Sequence, residues 1–173
     1  FRSQAGGRII IPKTSDFVDT SINGVAIKDH WVTSIPLFAG VTKVIGVPII
    51  KDHNLCYMSS AMKNWYGLFG GGRNRFHQDI HNVIADLAFM MKPTLIIGDA
   101  TRILMMNGPT GGRLEDIKIA NTLIFSPDQV AVDAYSASLL EKNIDQIKYL
   151  SLAEQRNLGT MNWNSMNWKE ISI

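Results

Sequence analysis

From residue 41 to residue 98 the chain alternates strand and helix patterns, and this alternation is what most constrains its fold. Val41 to Ile50 is apolar and β-branched, interrupted at Gly46 and Pro48, as a buried strand ending at Lys51 would be. Ser59 to Phe69 reads as a helix stopped by Gly70-Gly71-Gly72. In Asn74 to Met91, Phe76, Ile80, Val83, Ile84, Leu87 and Met91 recur at three- and four-residue steps, which predicts a second helix closed by Pro93. Thr94 to Gly98 is a short apolar strand with Asp99 at its end. Strand–helix alternation argues for an α/β fold with a mostly parallel sheet flanked by helices in Rossmann-like layering.

The remainder extends this pattern. A strand is expected at Ile119 to Phe125. A helix follows, begun by Ser126-Pro127-Asp128 with serine as cap and running to about Glu141. A last helix is expected at Asp145 to Asn157 and an edge strand at Lys169 to Ile173. Before residue 40 the pattern is weak. Gly6-Gly7 reads as a turn, Arg8 to Pro12 as a short strand, Asn23-Gly24 as a hairpin-type turn and Thr33 to Leu37 as a helix start. The 173 residues suit one α/β domain over residues 1–173. Because the first residue is Phe1, that domain is expected to be the carboxyl-terminal portion of a larger one, lacking an amino-terminal part.

Composition removes several function classes. A formal charge of +2 with scattered basic residues gives no concentrated face for nucleic acid. Cys56 is the lone cysteine, so no cysteine-held iron–sulfur cluster can form within this chain. No apolar run is long enough to span a membrane. The expectation is a soluble protein, cytoplasmic or exported if a leader has been removed.

Ligands of open α/β sheets bind at the carboxyl ends of the strands. Lys51, Asp52, His53 and Asn54 follow the first strand; Asp99 and the loop Asn107 to Gly112 follow the second. Gly71 lies among glycines that lead, through Arg73 and Arg75, into a helix start whose free N–H groups favour an anion. The expected site therefore has Lys51, His53, His77 and Asp99 as catalytic groups, with Asp99 orienting the imidazoles. Lys63, Asn64, Gly71, Arg73, Arg75, Asn107, Gly108 and Gly111 would be ligand-binding positions. His77 and His81, four residues apart, would share one helix face, which makes a divalent metal a candidate cofactor. Asp133, among apolar neighbours, is expected to be buried or to pack across elements.

Val47 to His53, Lys63 to Gly67, Arg75-Phe76-His77, Asp99, Asn107 to Gly112 and Ser126 to Ala134 together resemble the domain of unknown function family 362. The likeness spans about residues 41–160, the later half of that family's domain. Its recurring polar residues fall here at Lys51, His53, Lys63, Asn64, His77, Asp99, Asn107 and Asp133. Members with a ferredoxin-type cysteine cluster or a twin-arginine leader exist, and this chain displays neither. Two functions are expected from these residues. One is an enzyme-like domain binding a small anionic molecule, with metal assistance and a homo-oligomeric state as further candidates. The other is an accessory or redox-partner protein docking another polypeptide or iron–sulfur domain through an apolar patch at Trp65, Tyr66 and Phe69 or the tail Met161 to Trp168.

Overall fold

The computed structural model describes residues 9–172. An antiparallel hairpin comes first, β1 (Val18–Ser21) paired with β2 (His30–Thr33). Asn23-Gly24 lies in its connection, with Asn23 in the left-handed region at φ 53°. The apolar run that follows is two strands, β3 (Ile45–Gly46) and β4 (Ile49–His53). Pro48 has no N–H to give to a ladder, so pairing lapses there and resumes beyond it. β4 also continues past Lys51. Residues Lys51, Asp52 and His53 pair antiparallel with Ser59, Met58 and Tyr57 of β5 (Tyr57–Ser59), a strand too short and polar-flanked to stand out in sequence.

The helix expected over 59–69 is one α-turn, α1 (Ala61–Asn64), followed by a 3-10 turn at Trp65–Leu68. The next is divided in the same way, into a 3-10 stretch at Arg73–Asp79 and then α2 (Ile80–Met90). In the 3-10 stretch only Phe76 is buried, whereas Ile80, Val83, Ile84 and Leu87 of α2 all enter the core. Packing on an apolar face is what sustains a full α-helix, and the polar stretch has almost none.

β6 (Leu95–Leu104) is twice the expected length, and β7 (Ile117–Ser126) pairs with it antiparallel from Ile96↔Ser126 to Leu104↔Ile117. Asp99 is therefore in mid-strand. The polar run Asp99 to Arg102 resembles a loop in sequence but is held as strand by this ladder. β3 and β4 both lie parallel to β6 along the flank opposite β7. The five-stranded sheet thus has parallel pairing at its centre and the antiparallel strands β5 and β7 outside. Two helices follow, α3 (Gln129–Leu139) and α4 (Lys148–Gln155). The cap of α3 is Asp128, which accepts from the N–H groups of Val130 and Ala131, while Ser126 Oγ accepts from Asp128 N–H and so supports the cap. Residues 9–12 and 169–172 form no strand. Gly6, Gly7, Arg8 and Ile173, parts of expected turns and strands, lie outside the described residues.

The helices pack on the sheet face that carries Ile50, Ile96, Ala100 and Ile103, in two adjoining clusters. One joins these strands to Ile84, Val130, Ala134 and Leu150; the other joins them to Ile22, Trp65, Phe69, Phe76 and Leu87. On the opposite face Ile45, Val47, Ile49, Leu123 and Phe125 are exposed. Among the described residues no helix is long and apolar enough to cross a membrane.

One buried carboxylate ties the opening segment to the helices. Asp86 on α2 is fully buried and accepts from the N–H groups of Val25 (2.8 Å), Ala26 (2.8 Å) and Ile27 (2.9 Å) and from the Arg156 guanidinium (2.8 Å). Gly24 lies against the carboxylate so closely that no side chain fits. Replacing it by alanine leaves three N–H groups and a cation without their acceptor. Asp86→Ala is expected to lower unfolding free energy by about 3–5 kcal/mol in urea denaturation, as for other broken buried pairs. A loss below about 1 kcal/mol, the size of a single ordinary hydrogen bond, would show that the loop is held by other means.

Candidate functional site

Four elements bring cations and imidazoles together at the carboxyl end of β4. The strand supplies Lys51 and His53, α1 supplies Lys63, the next turn supplies Tyr66, and the 3-10 stretch supplies Arg73 and His77. The position of α1 is set from beneath. Asp133 on α3, completely buried, accepts from Ala61 N–H at 2.6 Å and Met62 N–H at 3.4 Å, so it satisfies the free donors at the start of α1. Burial raises its carboxyl pKa to about 7.

His53 is the centre of the cluster and is 3% exposed. Its Nδ1 accepts from Leu55 N–H at 3.2 Å, so the neutral ring carries its proton on Nε2. Burial lowers its pKa to about 4, and the nearby Lys63, His77 and Lys51 push the same way, outweighing the Asp52 carboxylate, which opposes them. His53 is therefore a neutral imidazole in surroundings where positive charge outweighs negative. Half-buried Lys63 has its ammonium 4.9 Å above the Tyr66 ring. Burial holds it below the ordinary lysine range, with Lys51 and Arg73 adding to that and the Cys56 thiol opposing it.

His77 Nδ1 lies 3.0 Å from the Asn74 carbonyl, to which it donates, leaving Nε2 as the ring's acceptor when neutral. Its ring is 5.4 Å from that of Tyr66, and the Tyr66 hydroxyl donates to the Arg73 carbonyl at 2.7 Å. The Arg73 guanidinium donates to the carbonyls of Tyr66 (3.2 Å) and Phe69 (3.0 Å) and sits 5.4 Å from the Tyr66 ring centre. Part of its fork is thus used to close the turn. Among the described residues no carboxylate forms an ion pair with Lys51, Lys63 or Arg73. Tyr66 was not among the expected site residues; its adjacency to Lys63-Asn64 was the available signal.

Several expected members lie elsewhere or are already engaged. Asp99 accepts from the N–H (2.9 Å) and hydroxyl (2.7 Å) of Thr101, which hold its carboxyl below the usual range, and it pairs across the sheet with Ile49 and Leu123. It orients no imidazole. The Arg75 guanidinium stacks 4.2 Å from the Trp31 ring centre on the β1–β2 hairpin rather than entering the cluster. Asn64 is exposed, and exposed Gly71 backs onto Val32 with φ at 60°. The loop after β6 does reach the end of β4, but its contacts are structural. Gly108 N–H donates to buried Asp52 at 2.9 Å, and Asn107 Nδ2 donates to Asp116 at 3.0 Å. Asp52 also receives Lys142 Nζ at 2.7 Å. Gly111, with φ at 96°, has open space around it.

The His77–His81 pair does not share a face as expected. The winding changes from 3-10 to α between them, and His81 stacks on Tyr149 with ring centres 6.1 Å apart. Among the described residues no group of three or more His, Cys, Asp or Glu side chains converges as a metal-binding set. Burial pushes the Cys56 thiol up to about 12, and its Sγ donates to the Met58 carbonyl, so it is an inert core residue. Trp65 and Phe69, expected in an exposed docking patch, are core residues 5% and 1% exposed.

The lowered His53 pKa has a definite consequence. The unfolded chain takes up this proton near pH 6.5 and the folded chain only near pH 4, so His53 favours folding above pH 6.5 and loses that contribution as pH falls towards 4. Asp133, raised to about 7, has the opposite sign: its folded form gains relative stability as pH falls from 7 towards 3.8. His53→Asn keeps an acceptor for Leu55 N–H without a titrating ring. It should remove an acid-side loss of about 3 kcal/mol between pH 6.5 and 4, read as the difference from wild type in urea denaturation at each pH. Parallel curves for the two proteins would show that His53 titrates normally.

No curated protein and no solved structure matches the chain. The pattern of one family does match, over residues 2–138, which takes in the opening segment that the resemblance over 41–160 omitted and ends within α3. That span includes every residue of the cationic cluster and the Asp133 beneath it, and the chain belongs to the family described as Domain of unknown function (DUF362).

Proposed function

We propose that the cluster of Lys51, His53, Lys63, Arg73 and His77 binds a small anionic ligand. The observation that carries this reading is the neutral, buried His53 surrounded by cations that have no carboxylate partner among the described residues. Bringing like charges together and half-burying one of them costs free energy, and a bound anion offsets that cost. Phosphate and carboxylate groups both suit such a set: Lys51 and Lys63 act as point charges and the remaining Arg73 N–H groups as directional donors.

The chemistry open to such a complex is proton transfer. His53 Nε2–H offers a hydrogen-bond donor on a neutral ring beside the anion, and His77 Nε2, the ring nitrogen that Asn74 does not engage, is the position that would take up or return a proton. The Tyr66 phenol, held above its ordinary range by burial, stays protonated throughout that range.

Isothermal titration with inorganic phosphate and with a small dicarboxylate tests the reading. Lys63→Ala and Lys51→Ala should each weaken binding about tenfold or more, the effect of roughly 1.4 kcal/mol of lost interaction. His77→Ala should weaken it less, and all three variants should melt within a few degrees of wild type. Absence of binding by both probes, or equal binding by wild type and the two lysine variants, would sink the proposal.

A further inference from the structure

The sheet face away from the helices is a feature that the cationic cluster does not explain. Ile45, Val47, Ile49, Ile119, Leu123 and Phe125 are each between 52 and 61% exposed. They share one face: burial alternates strictly from Ile45 to Ile50, and Leu123 and Phe125 pair with Asp99 and Ile97 of β6. Asp99 in turn pairs with Ile49, so one row runs Ile49–Asp99–Leu123 across three strands. Strands paired in parallel normally have both faces of their sheet covered.

We propose that this face is a self-association surface, packed sheet to sheet against the same face of a second copy of the chain. At roughly 100 Å² per exposed side chain, the six residues expose on the order of 600 Å², which is at the upper end of the largest apolar patch on a typical monomer and approaches the roughly 800 Å² that each partner gives to a standard interface. The partly exposed Leu95 and Ile97 of the same face add to it. The charge pattern suits a copy of itself. Arg102 is close enough to act on the Asp99 carboxylate, and that carboxylate is already bonded to Thr101, so stacking two such faces does not oppose two single-sign surfaces. A twofold axis between aligned sheets about 10 Å apart brings identical apolar rows together. The inference is independent of anion binding, since Lys51 and His53 lie beyond the apolar rows at the far end of β4.

Sedimentation equilibrium of the 173-residue chain over a wide range of concentration tests it. The expected result is a reversible species of twice the 19.2 kDa chain mass. Leu123→Lys and, separately, Ile49→Lys should each shift it to the single-chain mass with unchanged circular dichroism and a melting temperature no lower than that of a dilute wild-type sample. Because these side chains are exposed in one chain, the substitutions disturb no core. A wild-type chain that stays at single-chain mass throughout would overturn the proposal, as would a dimer that survives both substitutions. Mixed outcomes separate cleanly from anion binding, because phosphate titration reads the other site.

Discussion

The candidate site depends first on a carboxylate that never meets solvent. Asp133 reaches from α3 under the first turn of α1 and accepts its leading N–H groups. A helix of only four residues cannot persist by its own hydrogen bonds, since nucleation costs more than one turn returns. Held by Asp133, that turn places Lys63 beside His53 at the end of β4. The carboxylate is itself costly to bury, which is why its pKa rises to about 7. Two N–H donors and the nearby Ser60 hydroxyl offset part of that cost.

The same device recurs twice. Asp52 holds the Gly108 N–H and the Lys142 ammonium, which fixes the loop after β6 and the end of α3 to β4. Asp86 holds three successive N–H groups of the loop between β1 and β2 against α2 and α4. In each case one acid satisfies backbone donors from a segment distant in sequence. Irregular segments with little apolar surface are thereby held to the core by polar groups that would be expensive to leave unpaired. The cationic cluster carries no such acid among the described residues, and this contrast sets it apart from the rest of the buried polar network.

Much of this was legible before any coordinates. Lys51 and His53 stand at the carboxyl end of a strand, where ligands of open α/β sheets bind, and Lys63, Arg73 and His77, offered by the helix and the glycine-led turn that follow, lie near them in the fold. Asp99 misled because a polar run after an apolar one looks like a strand's end. Only pairing with β7 keeps Asp99 to Arg102 extended. Arg75 misled because its neighbour Arg73 points to the site, while its own partner, Trp31, is supplied by the distant hairpin. The His77–His81 spacing implied a common face only under α-helical winding, and Arg73–Asp79 is wound as a 3-10 helix.

The sequence by itself determined the alternation of strands and helices, the buried apolar stripe of α2 and the cations and imidazoles available to the candidate site, since periodicity and composition are local properties. Tertiary structure alone decided which polar residues become partners. Asp133, Asp86 and Asp52 find their N–H donors 72, 61 and 56 residues away in sequence. It also decided which sheet face stays uncovered, since an alternating strand states that its two faces differ and leaves open which neighbour covers each.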